Sequence, residues 1–151
     1  MRRNLKKKEC IALLERNYIG YLGYISGNYP HVVPITYYYD KESESLISYS
    51  SVGHKLSSMR QQTAVSLAVT EIQSVGNWKS ILVLGNYEEM TGIDAKHMLH
   101  EFSNGVKKVI GSSTEIKHDF ISDFSAKLDT DEATVVFRIA IQEITGKIRV
   151  S

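Results

Sequence analysis

The segment LISYSSVGHKLSSMR, residues Leu46–Arg60, decides the fold that we predict for this chain. It begins as a short strand, Leu46–Ser50, that ends in hydroxyl-bearing side chains. The turn Ser51–Gly53 follows, and its glycine can adopt a positive φ at little cost. Beyond it, Leu56 and Met59 lie three residues apart, which is the spacing of one face of a helix. The pattern therefore predicts a strand, a tight turn and the start of a helix.

Two basic side chains, His54 and Lys55, fall in the first turn of that predicted helix. A helix N-terminus has N–H groups without intrahelical partners and a partial positive charge, and both favour a phosphate. Hydroxyls from the strand and the lysine ammonium would complete such a site. The segment matches no named phosphate-binding motif, so an ordinary strand-to-helix connection with a solvated lysine stays open as the alternative.

Composition narrows the class of protein. The 151 residues are 42% hydrophobic and 23% charged, with a formal net charge of +1, which is typical of one globular domain. This balance does not favour a nucleic-acid or anionic-membrane partner, and we find neither a signal peptide nor a span of transmembrane length. A single cysteine excludes an internal disulfide and predicts a cytoplasmic location.

The rest of the chain reads mostly as strands with tight turns. Two helices are predicted, at residues 4–16 and 94–110, the second with Asp94 as its N-cap. Lys117–Ser125 is either a short helix or irregular. The predicted strands are Tyr18–Ser26, His31–Tyr39, Leu46–Ser50, Ala64–Thr70, Lys79–Glu89 and Thr134–Ile144.

The close spacing of these strands predicts an antiparallel sheet closed into a small barrel with flanking helices. Gly27-Asn28 is a hairpin signal between the first two strands. Pro34 lies inside the second strand, and because proline cannot donate to a ladder, that strand needs an edge, a bulge or an unpaired position.

With its elements in this order, the chain resembles the flavoproteins related to pyridoxamine 5'-phosphate oxidase, and among them most the nitroimidazole-resistance (Nim)-like subgroup. The resemblance covers essentially the whole chain. The segments that carry it are Tyr18–Ser26, PHVVPITYYYD at Pro30–Asp40, SYSSVGHKLSSMR at Ser48–Arg60, WKSILVLGNYEEM at Trp78–Met90 and FRIAIQEITGK at Phe137–Lys147. It implies an FMN-binding split β-barrel spanning residues 1–151.

The resemblance also implies a site. In proteins of this type FMN lies between the two subunits of a homodimer. Its ring is held largely by main-chain groups of one strand, its phosphate by the turn described above, and a further polar contact comes from a later strand. The residues of this chain that match are His31, Val32, Val33, Pro34, Ile35 and Thr36 for the ring, Tyr49, Ser50, His54 and Lys55 for the phosphate, and Ser80 for the polar contact.

One departure from the family limits the function that the resemblance implies. True pyridoxamine-phosphate oxidases have a C-terminal extension with a tryptophan, arginines and a histidine that bind substrate and flavin, whereas this sequence ends at Ser151 and its one tryptophan is Trp78. We therefore expect an FMN-dependent oxidoreductase that passes hydride or electrons to a small acceptor, without pyridoxamine-phosphate oxidation. A non-catalytic flavin carrier or sensor, or the same barrel with haem or a deazaflavin, is the alternative.

Other candidate sites are weaker. His97 and His100 are spaced to share a metal on a helix, but no third ligand is evident and a solvated helical face explains them better. His31 fits a cofactor contact and a plain strand end equally well. Trp78 is better explained by core or interface packing than by stacking on a flavin. We identify no catalytic acid or base and predict no metal.

Overall fold

The computed structural model describes residues 1–112 and 134–151. Within them, eight strands and three helices alternate along the chain. In order they are β1 (Arg2–Asn4), α1 (Lys7–Glu15), β2 (Ile19–Ser26), β3 (Tyr29–Thr36), β4 (Tyr38–Asp40), β5 (Ser45–Ser51), α2 (His54–Gln61), β6 (Ala64–Ser74), β7 (Asn77–Glu89), α3 (Gly92–Ser112) and β8 (Thr134–Arg149).

The strands form one curled antiparallel sheet in the order β3-β2-β6-β7-β8-β5-β4, and β1 adds to β8. The chain is thus a mainly β split barrel with flanking helices, which confirms the predicted fold. Because β3 has a hydrogen-bonded neighbour on one side only among the described strands, the proline of this strand is tolerated as expected. The predicted hairpin is present, with Gly27 at a φ of 61°.

Alternation along the strands produces two hydrophobic cores. Leu46 and Phe137 point into the barrel, whereas their neighbours Ile47 and Val136 point outward and pack against α3. The helix contributes Phe102 to that second cluster. Strands β5 and β8 are therefore buried on both faces over this stretch, which fixes their register.

The N-terminal prediction is wrong at its start. Arg2–Asn4 forms a strand against the end of β8, and the helix begins at Lys7. Main-chain pairing holds this arm, with the N–H of Leu5 donating to the carbonyl of Gly146 at 2.8 Å. The Arg3 guanidinium also pairs with the Glu9 carboxylate at 2.9 Å, and this ion pair neutralises part of the positive charge of the N-terminal arm.

The stretch predicted as one strand, His31–Tyr39, is two strands that break at Tyr37. The N–H of Tyr37 donates to the carbonyl of Tyr18, and its buried hydroxyl donates to the carbonyl of Leu14 at 2.9 Å. These bonds take the residue out of the ladder. Helix α3 begins before Asp94, so this residue lies in the first turn and is not the N-cap. The segment Lys117–Ser125 lies outside the described residues.

No helix among the described residues is long and apolar enough to cross a membrane.

Candidate functional site

A cavity of about 270 Å³ opens in the gap of the split barrel, where β3 faces β5 and the start of α2. Six of the residues predicted to bind the cofactor meet there with two others. The lining residues are Ile19, Pro34, Ile35, Thr36, Tyr49, Ser50, Ser51 and Lys55. Ser48 fixes the width of the gap, since its buried hydroxyl donates to the carbonyl of Thr36 at 2.7 Å.

One wall of the cavity is an edge strand. The sheet leaves one side of β3 without a described strand partner, so main-chain N–H and C=O groups along this side can bond a ligand. A flat heterocycle with donors and acceptors on its rim suits such a wall, because Pro34, Ile35 and Ile19 supply apolar surface beside the polar main chain.

The opposite end of the cavity is suited to an anion. Lys55 is half-buried in the first turn of α2, and Ser50 and Ser51 line the same space, with the hydroxyl of Ser50 donating to the carbonyl of Ser51 at 3.2 Å. Gly53, the N-cap residue, provides no side-chain cap, so the first N–H groups of the helix lack that partner. Lysine, hydroxyls and a helix start are the groups that bind phosphate.

Helix α2 is anchored at its far end by an ion pair. Arg60 donates to Glu89 of β7 at 2.7 Å, and the Tyr87 hydroxyl donates to the same carboxylate. Hydrogen bonding by Tyr87 holds the pKa of Glu89 below its usual value, whereas burial raises the pKa of Tyr87. This contact fixes the orientation of the helix that carries Lys55.

His54 does not line the cavity. Its ring contacts the β2–β3 hairpin, with Nε2 at 2.9 Å from the hydroxyl of Ser26 and Nδ1 at 3.4 Å from that of Tyr24. His31 joins this cluster, since its ring stacks on Tyr24 and lies 5.3 Å from that of His54. The two histidines therefore connect the helix start to the hairpin, and phosphate or ring contact by either stays a prediction.

The remaining predicted contacts also lie outside this cavity. Val32 is 69% exposed and Val33 packs against the barrel core, both on β3. Ser80 lines a second cavity, between β7, β8 and the N-terminal arm. Contact between Ser80 and a ligand of the first cavity stays a prediction.

Sequence reasoning missed two lining residues. Ile19 faces the cavity because it pairs directly with Thr36, and Ser51 follows Ser50 at the end of β5. The hairpin turn at Gly27-Asn28 could have identified Ile19. Counting outward from this turn pairs Ser26 with Tyr29 and, further along the two strands, Ile19 with Thr36 of the predicted ring-binding segment.

An apolar row crosses the outer face of the sheet beside the cavity. Register places Pro34, Tyr21, Ala68 and Leu82 side by side on four successive strands. Tyr21 is 49% exposed and Leu82 41% exposed, and Val32, Ile19 and Leu84 extend the same surface. A contiguous apolar patch of this kind marks an interaction surface.

Among the described residues, no group of three or more His, Cys, Asp or Glu side chains is placed to hold a metal ion. His97 and His100 are exposed on α3, and Nε2 of His100 lies 3.0 Å from the amide nitrogen of Asn104.

Comparison with solved structures shows the same fold in proteins of related size. An FAD-binding protein from Mesorhizobium loti is 29% identical, with 98% of each chain covered and a TM-score of 0.74. A putative 5-nitroimidazole antibiotic resistance protein from Bacteroides thetaiotaomicron is 14% identical, with 98% of this chain and 89% of the other covered and a TM-score of 0.69.

Sequence comparison gives a relative and a family. An uncharacterised protein from Rhizobium meliloti is 31% identical over 145 residues, which cover 96% of this chain and 93% of the relative. The family model described as pyridoxamine 5'-phosphate oxidase matches residues 6–148. This match spans the edge strand β3, the turn before α2 and the closing strand β8, and the chain therefore belongs to the pyridoxamine 5'-phosphate oxidase family.

Proposed function

We propose that the protein is a homodimeric flavoprotein that binds FMN non-covalently and reduces a small acceptor with hydride or electrons from the reduced cofactor. The observation that carries this proposal is the first cavity, which joins an edge-strand wall to a lysine and hydroxyls at a helix start. These groups fit the two halves of FMN, a flat heterocycle and a phosphate. When bound, a flavin supplies the redox chemistry, and the chain supplies position, electrostatics and exclusion of water.

The roles of the residues follow from their places. Main-chain groups of Pro34–Thr36 bind the ring edge, and the side chains of Ile19 and Ile35 keep water from it. Lys55 and Ser50 bind the phosphate, since a group with a charge near −2 is stabilised by a cation and donors. His54 holds the helix start against the hairpin and so keeps Lys55 in place.

Cavity size favours a site shared between two subunits. About 270 Å³ is slightly below the usual volume of ligand pockets, which is roughly 300–1,000 Å³. The apolar row of Pro34, Tyr21, Ala68 and Leu82 adjoins this cavity and gives a second copy of the chain a surface to cover. In such a dimer Ser80 contacts the flavin of the partner subunit, which explains why it does not share a cavity with Lys55 within one chain.

The first test is the absorption spectrum of the purified protein, with identification of any cofactor released on denaturation. FMN-like visible bands and release of FMN support the proposal. Release of FAD would favour FAD as the cofactor in place of FMN, as the similarity to the FAD-binding protein from Mesorhizobium loti suggests. A strong Soret band would assign haem and refute flavin binding.

Turnover separates an enzyme from a carrier or sensor. We expect the FMN-loaded protein to oxidise NADH or NADPH when a small organic acceptor is present. Full flavin binding with no turnover for any common donor and acceptor would leave the carrier or sensor function and refute the enzyme.

Subunit mixing tests the shared site. A Lys55→Ala chain and a Ser80→Phe chain should each bind FMN poorly as homodimers. In the mixed dimer, one site would receive the intact Lys55 of one chain and the intact Ser80 of the other, so about half of the sites should recover. No recovery in verified mixed dimers would contradict a site built from both subunits.

The dimer surface itself is tested with Leu84→Lys, and Ile93→Lys serves as the matched control. Both leucine and isoleucine are exposed, but Ile93 lies at the start of α3, away from the outer row. Sedimentation should show monomers for the first variant and dimers for the second. Dimers in both would place the interface elsewhere. We also expect the protein to work in the cytoplasm, in keeping with its single buried cysteine, Cys10.

A further inference from the structure

The second cavity has a composition of its own and shares no lining residue with the first. It measures about 690 Å³ and lies between β7, β8 and the N-terminal arm, with residues from both faces of the sheet in its lining. Leu82, 41% exposed and also part of the apolar row, provides apolar surface, and Gly146 and the barrel-side residues Leu5, Ile81 and Ile144 complete this part of the lining. Its polar and aromatic lining consists of Asn4, Trp78, Ser80, Thr145 and Lys147.

Register concentrates cations at one end of this cavity. Lys147 pairs with Ser80 on one side and with Asn4 on the other, so its side chain shares their face of the sheet. Two residues further along β8, Arg149 pairs with Trp78 of β7 on one side and with Arg2 of β1 on the other. Within the described part of the chain, none of these three cations forms an ion pair.

The nearest carboxylate on this face along β8 is that of Glu143, two residues beyond Thr145 and directly opposite Leu84. It lies at the apolar end of the strands, whereas Lys147 and Arg149 lie at the other end. The cavity is therefore polarised, with an aromatic and cationic end and an apolar end. A half-buried indole offers a flat apolar surface, and lysine binds a carboxylate or phosphate as a point charge.

We propose that the cavity of Trp78, Ser80 and Lys147 binds a small planar organic anion, and that this anion is the molecule that exchanges electrons with the flavin. The ring of the ligand packs on Trp78, its carboxylate or phosphate pairs with Lys147, and Ser80, Thr145 and Asn4 bond its polar substituents. Its role as redox partner rests on the proposed function, because Ser80 is also the predicted contact to the flavin. Anion binding at this cavity does not depend on that function.

The chain carries its own reporter for this site, since Trp78 is its single tryptophan. We would titrate the purified protein, with and without added FMN, with 4-nitrobenzoate, 4-nitrophenyl phosphate and the neutral 4-nitrobenzamide, and follow the fluorescence of Trp78. Saturable quenching is expected from all three, with the anions roughly fivefold tighter than the amide, the effect of one partly exposed ion pair. The two anions show whether carboxylate or phosphate is preferred.

Lys147→Gln should remove the preference for the anions and leave the affinity for the amide unchanged, and Lys147→Arg should keep the preference. Lys79→Gln is the matched control, because Lys79 neighbours Ser80 on β7 but points to the other face of the sheet. Circular dichroism and bound flavin verify that each variant is folded. An anion preference that survives in Lys147→Gln, or anions that bind no tighter than the amide, would refute the anion site.

Kinetics tests the assignment as redox partner. In Lys147→Gln the KM for an anionic acceptor should rise about fivefold with kcat little changed, because the lost contact is made equally in the ground and transition states. An unchanged KM would refute that assignment. A protein that keeps the anion preference but binds no flavin would refute the proposed function and leave the anion site standing.

Discussion

Replacement of Lys55 by alanine is the most direct test of the FMN site that we propose. Lys55 is half-buried at the N-terminal turn of α2 and lines the first cavity with Ser50 and Ser51. A hydrogen bond to a charged group contributes about 1.5–3 kcal/mol, which corresponds to roughly a 10- to 150-fold change in affinity. Because riboflavin lacks the phosphate, its affinity should change by less than about twofold, the remaining contacts being uncharged.

The assay is a fluorescence titration of flavin-free protein with FMN and, separately, with riboflavin. Lys96→Ala is the control. Lys96 is exposed on α3, so this substitution removes the same charge at a position away from the cavity. Lys55→Arg should recover part of the affinity for FMN, because the positive charge is kept while the geometry changes.

The conclusion depends on the ratio between the loss of affinity for FMN and the loss of affinity for riboflavin. If Lys55→Ala weakens FMN and riboflavin equally, Lys55 does not bind the phosphate and acts only on the shape of the site. If Lys96→Ala weakens FMN as much as Lys55→Ala does, the effect is one of net charge. Either result would refute the assignment of this end of the cavity to phosphate.

Three further changes test the framework of the fold. Gly105→Ala should lower the free energy of unfolding, measured by urea denaturation, by about 1–3 kcal/mol, because its Cβ would clash with the ring of Tyr38 on β4. Gly111→Ala, on the same helix but in open space, should be neutral or stabilising, and equal effects would contradict the packing. Ser48→Ala should weaken flavin binding and cost about 0.5–1.5 kcal/mol of stability, because it removes the hydrogen bond to the carbonyl of Thr36. Stability and affinity equal to wild type would show that this bridge does not set the gap. The hydrogen bond from Arg16 holds the pKa of Glu71 below its usual 4.5. The ionised Glu71 therefore stabilises the fold fully above pH 4.5, and this stabilisation is lost as the pH falls through the lower pKa of the folded state. The difference in unfolding free energy between wild type and Glu71→Gln should narrow on acidification, and a constant difference would contradict this ion pair.

Local patterns were enough to predict most of the strands. Alternation, turn glycines and the proline of an edge strand all act within a few residues, and the pairing that they predict is present. The short strand Arg2–Asn4 was not predictable in this way, because its sequence has no β propensity and its partner lies at the other end of the chain. The break at Tyr37 likewise depends on bonds to Tyr18 and Leu14 that only the folded chain brings together.

The prediction of the site likewise succeeded for some residues and not for others. Pro34–Thr36, Tyr49, Ser50 and Lys55 meet in one cavity because β3 and β5 face each other across the gap of the barrel. His54, a neighbour of Lys55 in sequence, points the other way, since successive helical residues are about 100° apart around the helix axis. Sequence adjacency therefore overestimates the number of side chains that can reach one phosphate.

The two cavities differ in ways that suit two kinds of ligand. A cofactor that stays bound is best held by groups fixed in place, and the first cavity is small, bridged by Ser48 and built on a helix anchored through Arg60. A molecule that must enter and leave at each turnover is better served by a wider cavity with an exposed charge at its rim. The second cavity, with Lys147 exposed at its edge, has that form. In the function that we propose, the identity of the reaction therefore depends on the second cavity more than on the first.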